Sequence, residues 1–333
     1  MLFIKRVTLK ELAAMANVSV SAVSLILNNK PARISKEKIE EVKRIARELN
    51  YRPNHLAASL SGRATRTIGI LIPDISNPFF AEIVKALDYR LREKGYYTII
   101  ANGGNIESEK YHINQFIERQ VDGLLLCISN DGFNHLEEIV QHVNWIDRPT
   151  IIIDRFLPGC NKLQICFDNI AGGKIATEYL IKKGCTRLAC LTGDVSTYTS
   201  QQRLEGFQQA LREHGLPLEE MLIFNGDYSA QSGYKIGSEQ PSLWEAEGIF
   251  CFNDMMTFGL KKAFFERYKN RKLPLIVGYD NLKINEFLPA PIPSIEQDVQ
   301  ELVTKACEML FGLLNGEKVD QPELLQPKFK CKK

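Results

Sequence analysis

The 333-residue chain has no run of about 18 apolar residues, the length a bilayer core demands, so no transmembrane span is expected. The opening Met1-Leu2-Phe3-Ile4-Lys5-Arg6 is too briefly apolar for a signal peptide and meets a charged helix at once, so the chain reads as cytoplasmic. No GxGxxG is present, nor a GxxxxGK followed by Ser or Thr; Asn102-Gly103-Gly104-Asn105 is only a turn signal. The histidines, His55, His112, His135, His142 and His214, fall mainly on polar helix faces and pair with no evident nucleophile. Phosphoryl-transfer, dinucleotide-dependent and nucleophilic enzymes are excluded on these grounds, and no cofactor is expected. Cysteine is present but scattered: Cys127, Cys160, Cys166, Cys185, Cys190, Cys251, Cys307 and Cys331. None forms a CxxC, and none stands at metal spacing from a histidine. Buried reduced thiols are expected, and no metal site.

Acid is scarce only at one end. Residues 1–66 hold 13 Lys and Arg against 5 Asp and Glu, net +8, which leaves 29 basic and 35 acidic residues in 67–333, net −6. A basic head attracts phosphates; an acidic body is not itself a nucleic-acid surface. The head is patterned. Leu9, Leu12, Ala13 and Ala16 share one helical face, and Val20, Val23, Ile26 and Leu27 another, on either side of Asn17-Val18-Ser19. Ser19 is placed to cap the second helix. This is a helix-turn-helix, whose second helix enters a major groove. A third helix spans Ser35 to Asn50, opening on Ser35-Lys36-Glu37-Lys38, which reads as a capping box. Its stripe is Ile39, Val42, Ile45, Ala46 and Leu49. A brief helical segment at Asn54–Leu60 and a small, basic linker follow.

From Thr67 strands and helices alternate. Strands are expected at Thr67–Pro73, Tyr97–Ala101, Gly123–Ile128 and Thr150–Asp154, with helices Phe79–Lys94, Ser108–Arg119 and Gly132–Val143 between them. A second series starts near Phe167: helices Gly172–Lys183, Arg203–His214, Ser229–Ser238 and Met255–Arg267, and strands Arg187–Thr192, Met221–Gly226, Gly248–Phe252 and Pro274–Tyr279. Such alternation argues for α/β lobes with parallel sheets, and ligands in such sheets bind at the carboxyl ends of strands.

Several stretches resemble the LacI/GalR family of bacterial transcription regulators over essentially the whole chain. They are Val18-Ser19-x-Ser21-x-Val23-Ser24-x-x-Leu27-Asn28, Asn50-Tyr51-x-Pro53-Asn54, Asp74-Ile75-Ser76-Asn77-Pro78-Phe79-Phe80, Val121-Asp122-Gly123 and Gly278-Tyr279-Asp280-Asn281. The resemblance implies an all-α headpiece (1–53), a hinge helix and linker (54–66) and a two-lobed body like periplasmic sugar-binding proteins (67–333), built on two doubly wound parallel sheets. The lobes would be 67–165 plus 298–323, and 168–294 plus 326–333. Such proteins bind near-palindromic operators as homodimers or tetramers, and act as repressors. Val20, Ser21 and Leu25 occupy base-reading positions, with Ser24, Asn28, Asn54 and Ala57 in the same DNA-contacting set. The alternative for Val20 is helix packing. Many members carry Arg where Leu25 stands; Leu25 offers only apolar contact, for example to a thymine methyl. Leu60 matches the hinge leucine that wedges into the minor groove.

The resemblance also implies a cleft. Asn77, Phe79 and Phe80 follow the first strand, Asp154 and Arg155 end a later one, and Arg203 opens a helix after the apparent loop Gly193–Thr199. Asn253 and Asp280 end further strands, Gln297 lies in a crossover, and Tyr228 stands where the family has a second aromatic. This set is similar to the sugar-contacting set of ribose-binding proteins: an aromatic plate for the ring face, and Asp, Asn and Arg for hydroxyls. Alone, Phe79 or Phe80 reads as core packing, and Arg155 or Asp280 as a structural ion pair. The purine-binding cousin's second arginine is replaced by Thr197, against a purine. The expected effector is a ribose-like sugar; the alternative is a global catabolite regulator controlled by a phosphoprotein partner.

Overall fold

The computed structural model describes residues 7–27, 31, 33–49, 51, 64–218, 221–268 and 271–331. The chain divides into two units, Met1–Thr65 and Arg66–Lys333.

In the first unit, helices α1 (Leu9–Met15), α2 (Val20–Leu27) and α3 (Lys36–Glu48) enclose a small core of Leu12, Ala13, Ala16, Val23, Ile26, Val42 and Ala46. The capping box sits on α1, where Thr8 Oγ1 accepts from Glu11 N at 3.2 Å and Glu11 Oε2 accepts from Thr8 N at 2.7 Å. At α3 the expected box is a single cap: Ser35 Oγ accepts from Lys38 N, but Lys38 at the third position has no acceptor with which to reciprocate. Between α1 and α2, Asn17 adopts a left-handed φ of 50°, which a short polar side chain tolerates. Ser19 Oγ then accepts from Ala22 N at 3.2 Å, which starts α2.

In the second unit, β1 (Thr67–Ile72), β2 (Tyr97–Asn102), β3 (Gly123–Leu126), β4 (Thr150–Asp154) and β5 (Leu163–Cys166) form an all-parallel sheet in the order β2-β1-β3-β4-β5. The second sheet holds β6 (Leu188–Thr192), β7 (Leu222–Asn225), β8 (Gly248–Cys251), β9 (Leu275–Asp280), β10 (Ser294–Glu296) and β11 (Lys328–Lys330), ordered β11-β10-β9-β8-β6-β7. It is parallel except for the β10–β11 edge pair. Central strands such as β3, β4 and β8 are buried throughout, so they read as continuous apolar runs instead of alternating ones.

The helices are α4 (Pro78–Glu93), α5 (Ile106–Glu118), α6 (Asn130–Asn134), α7 (Leu136–Asn144), α8 (Asn169–Lys182), α9 (Tyr198–Glu213), α10 (Ala230–Glu239), α11 (Asp254–Arg267) and α12 (Val299–Leu314). Three expectations change. The helix expected over Gly132–Val143 is two, broken at His135, whose φ of −118° and ψ of 44° leave the helical region. The strands β5, β10 and β11 and the helix α12 were not among the expected elements; β5 is four residues long and interrupted by Gln164. Arg203 does not open its helix: Thr197 Oγ1 accepts from Ser200 N, so α9 begins at Tyr198 and Arg203 lies one turn in.

The chain passes between the sheets three times, at β5–α8, β10–α12 and α12–β11. The return helix α12 belongs to the first lobe's core, where Leu302, Val303, Ala306 and Leu310 meet Ile68, Leu125 and Ile151. Among the described residues no single helix is long and apolar enough to cross a membrane.

Candidate functional site

On α2 the buried residues are Val23 and Ile26, 0% and 2% exposed, whereas Val20 and Leu25 are 39% and 37% exposed. At about 100° per residue, Val20, Ser24, Ser21 and Leu25 span one arc turned away from that buried pair. Val20 therefore stands at the edge of the stripe and is not packed with Val23 as its spacing alone implied. Asn28, Asn54, Ala57 and Leu60 lie outside the described residues.

In the body, all ten residues expected at the strand ends and crossover line one cleft. Asn77 caps α4, its Oδ1 accepting from Phe79 N at 3.0 Å, and so turns Phe79 and Phe80 inward; their rings meet edge-on at 5.5 Å. Asn253 caps α11 in the same way and donates through Nδ2 to Tyr228 O at 2.8 Å. Tyr228 is further fixed by a 2.5 Å hydroxyl bond with Ser200. Its ring lies over Gly193, where an added Cβ would come within 2.0 Å of it, so only glycine admits the aromatic wall there.

The charged groups face one another across this space. Arg155 donates through Nη1 to Ile128 O and Asn130 Oδ1, at 3.0 and 2.8 Å, and its guanidinium lies 5.5 Å from the Phe80 ring and 5.6 Å from that of Tyr228. Arg203 donates to Asn169 Oδ1 at 2.8 Å and to Phe252 O, and stacks 3.5 Å over Tyr279. Burial pushes the Asp154 carboxyl up, opposed by Arg155 and Arg203. Burial pushes Asp280 well up, opposed by Arg203. Gln297 Nε2 donates to Asp280 Oδ1 at 2.9 Å, while its own Oε1 is buried without a partner. Asp154, Tyr228 and Asp280 all hold left-handed φ, at 66°, 71° and 100°. Non-glycine residues stay there only when their surroundings over-determine them, and such residues gather at ligand clamps.

Thr199 was missed. It lines the cleft, is buried, and leaves Oγ1 without a partner. Thr197 is not in the lining; its hydroxyl is spent on Asp194 O and on capping α9. The rim is bridged by Asn130 Nδ2 donating to Asp227 O at 3.4 Å and by Phe156 against Tyr198 at 5.3 Å. The two groups the cleft leaves unpartnered, the Thr199 hydroxyl, which can donate or accept, and the Gln297 amide oxygen, which accepts, together with its facing arginines and carboxyls, suit a molecule rich in hydroxyls.

Behind Arg155 lies Glu109, fully buried, its Oε1 accepting from Ser129 N at 2.6 Å and its Oε2 without a partner. Burial pushes this carboxyl up to about 7, against an ordinary 4.5. A carboxyl raised on folding stabilises fully below its unfolded value and loses that contribution as pH rises through the folded one. Between pH 5 and pH 8 the loss is roughly 2–3 kcal/mol for such a shift. Urea unfolding should therefore show greater stability at pH 5, and Glu109→Gln should flatten that slope. A slope equal to the parent's would show that Glu109 does not titrate as described.

Among the described residues no group of three or more His, Cys, Asp or Glu could hold a metal ion, and the thiols are free, six of them buried, Cys160 partly so and Cys331 exposed. Residues 65–327 match the family model of periplasmic binding proteins and the sugar binding domain of the LacI family, and residues 8–54 match bacterial regulatory proteins of the lacI family. The chain is 31% identical over 330 residues to the HTH-type transcriptional repressor PurR of Vibrio parahaemolyticus, covering 96% of this chain and 97% of that one. It is equally 31% identical, over 323 residues, to the ribose operon repressor of Escherichia coli, covering 96% and 95%. A solved structure of the lac repressor dimer bound to operator and the anti-inducer ONPF matches with a TM-score of 0.84 at 24% identity, covering 98% of each chain; this is a likeness of fold.

Proposed function

The chain belongs to the LacI family of bacterial regulatory proteins, repressors that bind DNA under the control of a small molecule, and we propose that the molecule controlling this one is a neutral sugar of the ribose class. Its relatives are transcriptional repressors, not enzymes. The observation that carries the proposal is the charge balance of the cleft. Asp154 and Asp280 offset Arg155 and Arg203, all four buried. An anionic ligand would add negative charge beside two buried acidic groups whose ionised forms burial already disfavours, so the cleft does not select for one. A neutral polyol instead meets donors and acceptors in alternation, with Phe79 and Tyr228 against its ring and Phe80 beside them. Asn77, Asn253, Gln297 and Thr199 complete the polar set. Identity to PurR and to the ribose operon repressor is equal, so it does not decide between their effectors; the cleft's polar groups favour the sugar.

In the same proposal the chain acts as a homodimer on a near-palindromic operator. Val20, Ser21, Ser24 and Leu25 reach base edges in the major groove, Asn28, Asn54 and Ala57 make further DNA contacts, and Leu60 wedges a minor-groove step. Calorimetry with ribose, other pentoses, hexoses, their phosphates and hypoxanthine tests the effector. A neutral pentose should bind, and its 5-phosphate at least about tenfold more weakly, the effect of roughly 1.4 kcal/mol of charge repulsion. Binding of hypoxanthine alone, or of the phosphate more tightly than the sugar, would refute it.

A further inference from the structure

One buried carboxylate outside the cleft lining is tied to the cleft by backbone bonds. Asp254, fully buried at the start of α11, accepts from Leu282 N at 2.8 Å through Oδ2 and from Ser294 Oγ at 2.8 Å through Oδ1. Ser294 Oγ in turn accepts from Asn281 N at 3.0 Å. The carboxylate and one hydroxyl thus hold the amides of the two residues that follow Asp280. Asp280 and Asn281 are consecutive left-handed residues, φ 100° and 50°, with no glycine to ease the conformation. The neighbouring Gly278 marks how closely Asp254 is pressed to β9: an added Cβ would lie 2.1 Å from its Oδ1. Side-chain bonds from Gln297 to Asp280 and from Asn281 to Glu296 also reach the pair, but only these two fix its following amides; without them Asp280 is freed to relax toward extended backbone, which aims its side chain elsewhere. The turn also ends in Leu282, buried in the first lobe's core, so its geometry is fixed at both ends.

We propose that Asp254 and Ser294 are positioning residues that hold Asp280 in its ligand-facing conformation. The proposal rests on the assignment of the cleft as the sugar site. Neither side chain lines the cleft, so neither is expected to touch the sugar.

The test uses the full chain. Ser294→Ala removes one hydroxyl and little volume; Asp254→Asn keeps the shape but sets an amide N–H against a donor. In sugar-free protein, hydrogen–deuterium exchange of peptides covering 279–284 should speed up in both variants, with peptides in β3 and β8 unchanged. Exchange at the parent rate in both variants would overturn the proposal. That readout needs no sugar, so it decides the positioning role even if the sugar assignment fails, and absence of sugar binding by the parent identifies that separate failure. With ribose, Ser294→Ala should raise Kd by about tenfold, the loss expected when a charged hydrogen bond is misaligned. In an Asp280→Asn background the same change should cost less than about twofold, because coupled residues are non-additive. Equal costs in the two backgrounds would also overturn it, since a general loss of stability adds independently.

Discussion

Removal of residues 1–66 should abolish specific operator binding while leaving a folded 67–333 that still binds sugar. The removed segment carries 13 basic and 5 acidic residues, and the remainder is net −6. Phosphate contacts release condensed counterions, so affinity depends on the basic segment and falls steeply with salt. The acidic remainder has no such term to offer. Specific sites are typically about 10³–10⁷-fold tighter than non-specific DNA, and that whole margin should vanish. Fluorescence anisotropy on a labelled operator, repeated at several salt concentrations, measures both the loss and the slope. Operator binding by 67–333 at the strength of the full chain would show that the helix-turn-helix is not the reading element.

The second large effect belongs to the cleft. Arg155→Ala combined with Asp280→Ala should weaken ribose binding by two to four decades. Each removed group makes charged hydrogen bonds worth roughly 1.5–3 kcal/mol, so the pair amounts to about 3–6 kcal/mol if the two act independently. Single variants should lose about tenfold to a hundredfold or more. Phe79→Ala should lose a similar amount through the missing ring contact, about 0.5–1.5 kcal/mol beyond buried area. The double variant keeps one carboxylate and one guanidinium, so the cleft stays charge-balanced and the loss reflects hydrogen bonding. Calorimetry on the folded variants, checked by circular dichroism, decides. Ribose binding at parental strength by the double variant would remove the cleft assignment.

What the sequence reveals follows the strength of its periodicities. The helix-turn-helix is legible because Leu12, Ala13 and Ala16 repeat at helical spacing and Ser19 supplies a cap. The two sheets are legible because their central strands are short apolar runs between helical stripes. The cleft residues were found by pairing strand ends with a family resemblance, and the structure brings all ten together. Thr199 is hidden in the sequence because Gly193–Thr199 reads as a loop. The missing clue was Thr197 three residues before Ser200, a cap pattern that moves the helix start back and puts Thr199 four residues from Arg203 on one face. The left-handed backbone at Asp154, Tyr228 and Asp280 had no signal at all, since none of them is glycine. Those conformations come from bonds between distant segments, which no local pattern records.

The threefold passage of the chain between sheets has a consequence on the ribosome. The first lobe's strands and α4 emerge early, but α12, which covers the apolar faces of Leu125 and Ile151, begins at Val299, about 150–175 residues later. At about 5–20 residues per second, a nascent chain spends roughly 8–35 s with that face unshielded. The second lobe, made almost entirely in between, can collapse first. Synthesis therefore runs the molecule through a state with one finished half and one open half, a natural substrate for chaperones. Expression at low temperature or with chaperones in excess is the condition under which such a chain gives its best yield.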